Sequence, residues 1–174
     1  MNEATTIGNT DARSSFEIYR ARGTTPEIRM TVLMVLIGRR WRAVLDDNLR
    51  AIGQSSARME ALAAIINSPS PSSQSDIARR LRIEGPTMTR MIDSLTRDGL
   101  VERRAAPGDR RTKLLAVTGK GERALEEMFA IADPLRERML EGFTPDDVEH
   151  ATAFAATILG RLDSGLSALA GDEG

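Results

Sequence analysis

Ten basic residues fall between Arg79 and Lys113: Arg79, Arg80, Arg82, Arg90, Arg97, Arg103, Arg104, Arg110, Arg111 and Lys113. Only five acids share that stretch. Guanidinium forks at this density suit phosphate oxygens and the edges of bases. Residues 1–78 hold nine bases and eight acids, and residues 114–174 hold five and twelve. The net charge of −1 therefore hides a basic middle between less basic flanks, as a nucleic-acid-contacting module would show. A solvated face of paired charges is the other reading of such a run. The order within APGDRRTKLLAVTGKG, residues 106–121, goes beyond a solvated face. Pro107 and Gly108 suit a turn, Asp109, Arg110, Arg111 and Lys113 crowd beside it, and a short apolar run returns from it.

Other chemistries lack their residues. The 174-residue chain has no cysteine, which removes disulfides, thiolate catalysis, thiol redox sensing and Cys-based zinc sites. Its one histidine, His150, lies beside Glu149 and reads as a surface residue with no function. No nucleophile–base–orienter set, phosphate-binding glycine loop or paired-His metal motif is present, so the chain is not expected to be an enzyme and no cofactor is expected. The longest near-apolar run, residues 30–38, falls far short of the ~18 residues a membrane-spanning helix needs and reads as buried helix. No basic segment followed by an apolar one opens the chain, so a cytoplasmic location is expected.

The elements that must position the basic residues follow from caps and periods. Residues 1–25 read as an arm with a short helix around SFEIYRA. Thr25 as cap and Pro26 in the first turn open a helix expected to end at Gly53. Its first half is apolar nearly all round, from Met30 to Ile37. Such a helix must be covered on more than one side, by a second subunit or as the centre of a monomeric bundle. A second helix starts at Ser55 or Ser56 and carries Met59, Leu62, Ile65 and Ile66 on one face. NSPSPSSQ then reads as a loop. A short helix capped by Ser75 buries Ile77, Ala78 and Leu81. The turn RIEG leads to a helix from Pro86 to a stop at Gly99, with Met88, Met91, Ile92 and Leu95 as a buried stripe. Its other side shows Thr87, Thr89, Arg90, Asp93, Ser94 and Arg97, short hydroxyls and arginines that can enter a groove. Two short helices across a four-residue turn form a helix-turn-helix signal. LVERR and TKLLAVT read as strands of a hairpin, the wing of a winged helix-turn-helix. Thr118 caps a long helix that Pro134 is expected to kink. Thr144, Pro145 and Asp147 open a last helix. Its apolar positions Val148, Ala151, Ala155, Ile158, Leu162, Leu166 and Leu169 form a seam built to pack against another helix.

DIARRLRIEGPTMTRMIDSLTRDGLVER followed by DRRTKLLAVTGKG resembles the MarR family of winged helix-turn-helix transcriptional regulators. The likeness spans roughly residues 28–168 and is densest from 75 to 121. A helix before the winged module and two long ones after it also match, whereas PadR-like regulators begin with the winged module. The resemblance implies a mainly α fold with a small β-hairpin wing. A winged domain at 55–118 would be inserted between dimerisation helices at 26–54 and 119–174, with an arm at 1–25. It implies a homodimer in which each lobe reads half of a pseudo-palindromic operator in double-stranded DNA, with repression the usual outcome. The Pro86–Arg97 helix would lie in the major groove, and Asp109 would orient Arg111 into the minor groove, where narrow width strengthens the negative potential. Arg79, Arg80, Arg103, Arg104, Arg110 and Lys113 suit phosphates. Asp109 and Arg111 otherwise simply close the hairpin tip.

Many members release DNA on binding small phenolic or aromatic acids between lobe and dimer helices. By that geometry the effector would meet Arg40 and Trp41, flanked by Arg39 and Arg42, with Arg58, Met59, Leu62 and Phe129. Trp41 and Met59 equally suit a core, and the arginines solvent. Two departures stand out: the arm before Pro26 is longer than the family core requires, and the absence of cysteine removes the oxidation-sensing branch. The alternative function is a winged-helix protein-interaction module without sequence-specific DNA binding.

Overall fold

The computed structural model describes residues 14–21, 23–68, 71–106 and 109–165. Its elements are α1 (Ser15–Arg20), α2 (Pro26–Leu49), α3 (Ser56–Ile66), β1 (Ser72–Ser73), α4 (Gln74–Leu81), α5 (Gly85–Arg97), β2 (Val101–Ala106), β3 (Asp109–Val117), α6 (Gly119–Met139) and α7 (Pro145–Asp163). The architecture is mainly α with one small antiparallel sheet, a winged helix. Two compact units divide within α6, after Leu125. No helix among the described residues is long and apolar enough to cross a membrane.

In the first unit, local chemistry sets most boundaries. The Thr25 hydroxyl accepts from the Ile28 N–H and Pro26 fills the first turn of α2. The helix tightens into a 3₁₀ turn, Arg50–Ile52, and stops at Gly53, whose φ of 67° is the left-handed conformation glycine favours. Ser55 caps α3 through the Arg58 N–H. Asp46 of α2 adds a second acceptor at 2.7 Å to the Ser56 N–H, fixing the α2–α3 corner. The core gathers Leu49, Leu62, Ile77, Met88, Ile92, Leu95 and Val101, all essentially inaccessible.

Several expectations need correction. Ile66 does not share the buried face of α3, because the helix ends there and leaves it exposed. Leu81 and Met91 are half-buried rather than core. The serine-rich loop contains a strand: Ser72 and Ser73 pair with Leu115 and Leu114, giving the sheet order β1-β3-β2. The cap of α4 is Ser73, not Ser75. Ser73 is already extended as part of β1, and Asp76 stands three residues on to complete a reciprocal capping box.

The second unit contains the rest of α6 and α7. Helix α6 runs through Pro134 as one element. Thr144, Pro145 and Asp147 open α7 as expected, with a full capping box. No residue of α7 is buried, and Phe154, Leu159 and Leu162 are half or more exposed. A hollow of about 580 Å³ is lined by Leu140, Phe143, Val148, Ala151 and Ala155. Leu166 and Leu169, expected to extend the α7 seam, lie outside the described residues.

Candidate nucleic-acid interface

The basic residues stand on α4, the turn after it, α5 and the two wing strands. The Asp76 carboxylate at the start of α4 accepts from the Ser73 hydroxyl at 2.7 Å and the Ser73 N–H at 3.0 Å. Those hydrogen bonds hold it below the ordinary aspartate range, with smaller help from Arg79. Arg82 ends α4 in the left-handed conformation, φ 52°, without a glycine. Glu84 is extended and Pro86 stands in the first turn of α5. Met88, Ile92 and Leu95 then face the core and leave Thr87, Thr89, Arg90, Asp93 and Arg97 exposed on the other side.

Hydrogen bonds tie that exposed side to its neighbours. Arg103 of β2 donates to Asp93 at 2.6 Å and to the Gln74 side-chain oxygen at 3.3 Å. The Gln74 amide nitrogen donates to the Thr89 hydroxyl at 2.7 Å. Gln74, at the first position of α4, is not singled out by any sequence pattern, because a lone neutral amide has no periodicity or charge to mark it. Asp93 is therefore already engaged by an arginine, and Arg103 braces α4, α5 and β2 together. Arg79 pairs with Asp76 at 2.6 Å. Arg80 donates to the Asn67 carbonyl at 3.2 Å, near the end of α3. Arg104 pairs with Glu102. Among the described residues, no side-chain hydrogen bond or ion pair holds Arg90, Arg97 or Lys113.

The wing ladder runs in regular register from Val101↔Val117 to Ala105↔Lys113 and then jumps to Ala106↔Asp109. Arg110, Arg111 and Thr112 thus occupy a bulge on β3. Pro107 and Gly108 lie outside the described residues, as do the side chains of Asp109, Arg110 and Arg111.

The base of the wing is locked. The Thr118 hydroxyl donates to the Gly99 carbonyl at 2.6 Å and accepts from the Gly121 N–H at 3.1 Å. Lys120 donates to the Asp98 carbonyl at 2.8 Å. A Cβ on Gly121 would stand 2.1 Å from the Leu100 carbonyl oxygen and 2.6 Å from a Val117 methyl. The second glycine of TGKG is thus a steric necessity, the signal being its fixed place just past the helix cap.

Of the six residues expected to meet an effector, Met59 and Leu62 are buried in the core. Arg58 is committed elsewhere: it donates to Gln54 at 2.8 Å, Ser94 at 2.9 Å and Asp98 at 2.7 Å, clamping α3 to α5. Its side chain is only 15% exposed, and each of its three nitrogens already donates within the clamp. Arg40 is exposed, Trp41 half-buried and Phe129 partly exposed. Arg42, beside them in sequence, pairs with Glu60 at 2.8 Å.

A family model described as the MarR family matches residues 53–112. The crystal structure of the transcriptional regulator PA3341 is similar over 78% of this chain and 98% of its own, with 31% identity and a TM-score of 0.70. MepR from S. aureus, in complex with DNA, matches 79% of this chain and 99% of its own at 21% identity and a TM-score of 0.67. CouR from Rhodococcus jostii RHA1, bound to p-coumaroyl-CoA, matches 74% and 90% at 23% identity and a TM-score of 0.66. The last two likenesses show a shared fold.

Proposed function

The chain belongs to the MarR family of transcriptional regulators, and from that membership we propose that it is a homodimeric repressor. It binds a pseudo-palindromic operator and leaves it when a small aromatic or phenolic acid binds. The observation that carries DNA reading is the exposed side of α5, where Arg90 and Arg97 have no partner among the described residues and Thr87 and Thr89 stand beside them. Short hydroxyls let the helix approach base edges, and an arginine can grip guanine with two hydrogen bonds. Lys113, Arg80 and Arg104 meet phosphates, which set position rather than sequence. Arg111, on the wing bulge, enters the minor groove, with Asp109 as its orienter.

Residues 55–118 serve as the DNA-binding domain, with 26–54 and 119–174 as dimerisation helices. The exposed apolar sides of α2 (Val32, Leu33, Val35, Leu36, Ile37) and of α7 (Phe154, Leu159, Leu162) support this assignment. A second copy that covers them removes apolar surface from water at roughly 25 cal/mol per Å². The p-coumaroyl group bound by CouR supports a phenolic ligand class. Release follows if ligand favours a lobe spacing that the operator does not, since only such differential affinity couples the two sites.

Selection of genomic fragments by the purified protein tests this reading. The expected result is enrichment of inverted repeats with half-sites about one helical turn, ~10 bp, apart, and their release on titration with aromatic acids. Absence of any sequence-specific enrichment would leave a winged-helix interaction module instead.

A further inference from the structure

We infer that Gln74 is a positioning residue that fixes the hydrogen-bond polarity of Thr89, so that α5 selects a base carrying a major-groove amino group. This rests on the DNA-binding reading above and adds to it a relay of four side chains.

The relay begins at Asp93, an acceptor that holds Arg103 at 2.6 Å. A guanidinium can only donate, so the Gln74 amide must turn its oxygen toward Arg103, which it meets at 3.3 Å. The amide nitrogen then points the other way and donates to the Thr89 hydroxyl at 2.7 Å. A hydroxyl has one proton and two lone pairs. One lone pair of Thr89 is taken by Gln74, and its proton goes to the Gly85 carbonyl at 3.0 Å, one turn back along α5. What remains on this exposed side chain is a single lone pair and a methyl group.

Thr89 is thereby an acceptor only. In the major groove, adenine N6 and cytosine N4 donate, whereas guanine O6 and N7 and thymine O4 accept. A free threonine hydroxyl could satisfy either kind by rotating. Locked by Gln74, it accepts from an amino base and places a lone pair against the others. One position in each half-site is therefore restricted to adenine or cytosine on the contacted strand. The preference is expected at about five- to tenfold, the size of one net hydrogen bond.

Selection from a randomised duplex library, with the full-length protein and its variants, reads this directly. Thr89→Val keeps the shape, removes the hydroxyl and is expected to abolish the preference at one position only. Gln74→Ala frees the hydroxyl to rotate and relaxes the same position. Arg103→Met frees the amide to flip, which turns its oxygen to the Thr89 proton and leaves lone pairs outward, so the preference is expected to persist. A relaxed Arg103→Met profile overturns the relay even where Gln74→Ala fails to fold, which thermal melting reports separately. Gln74→Glu is the discriminating variant. A carboxylate takes the Thr89 proton, so the hydroxyl still offers only lone pairs outward, and the preference persists while overall affinity falls. A Gln74→Ala profile identical to wild type overturns the relay, as does a Gln74→Glu profile that relaxes like that of Gln74→Ala. A wild-type motif with no adenine-or-cytosine position sensitive to Thr89→Val overturns the readout alone. Recovery of no motif at all overturns the DNA-binding reading itself.

Discussion

Helices α5 and α7 share two sequence features and end in different circumstances. Each has a proline in its first turn, and each carries apolar residues at helical spacing. Yet α5 places Met88, Ile92 and Leu95 at zero exposure, whereas α7 buries nothing and leaves Leu159 60% exposed. Helix formation and helix burial are therefore separate matters. Caps and periodicity decide the first, and the presence of a complementary surface decides the second. Most of a helix's stability in a protein comes from packing an apolar face, and no residue of α7 is buried. Under the proposed homodimer, α7 obtains its missing surface from the second copy.

Core truncation gives the widest separation between the two helices. Ile92→Ala is expected to cost about 2–5 kcal/mol, seen as a lower melting temperature at every protein concentration. The equivalent Leu159→Ala should leave the winged module intact and act through dimer mass in sedimentation. A concentration-independent loss in that variant would mean α7 is covered within its own chain. Next comes Gly121→Ala, which forces a Cβ into the Leu100 carbonyl. A loss of about 1–3 kcal/mol is expected from the overpacking, and unchanged melting would show that the wing base gives way easily. Arg111→Ala should weaken operator binding by about 1–3 kcal/mol without altering melting or mass. Mobility shifts equal to wild type would remove the wing from the interface.

The smallest effects come from the caps. Ser73→Ala is expected to cost about 1 kcal/mol of global stability, because α4 belongs to the core. Thr144→Ala should be visible mainly as fraying of α7 in amide exchange. Acid acts on both caps alike. The Asp76 and Asp147 carboxyls are held low chiefly by hydrogen bonds from Ser73 and Thr144. Their contribution is complete above the ordinary aspartate value and fades as pH falls through the lowered one, below about pH 4. Circular dichroism on acid titration should therefore show both helix starts loosening in that window, and less so in the two cap variants.

Features written in neighbouring residues could be read from the sequence. Thr25 with Pro26, Thr144 with Asp147, the stop at Gly53 and the wing hairpin all depend on side chains a few positions apart. Features joining distant residues could not. Arg58 looked available to a ligand, but its partner Asp98 is 40 positions away, and no local pattern foretells that clamp. The two-residue β1 has no alternation to detect and exists only because β3 passes beside it. Likewise Met59 and Leu62 have the apolar character of a ligand pocket and of a core alike, and only packing distinguishes the two. The basic run was legible as charge, while its division into engaged arginines (Arg79, Arg103) and unengaged ones (Arg90, Arg97) required coordinates.

Strand β1 has a further effect on how the molecule behaves in company. By pairing along one side of β3, while β2 pairs along the other, it places Leu114 and Leu115 between two neighbours. The sheet's outer margins are then a two-residue strand and one bearing Glu102, Arg103 and Arg104. Short or charged margins discourage edge-to-edge pairing between molecules. Leu114 and Leu115, the largest apolar side chains of β3, are thereby kept from a free edge at the cost of only two serines.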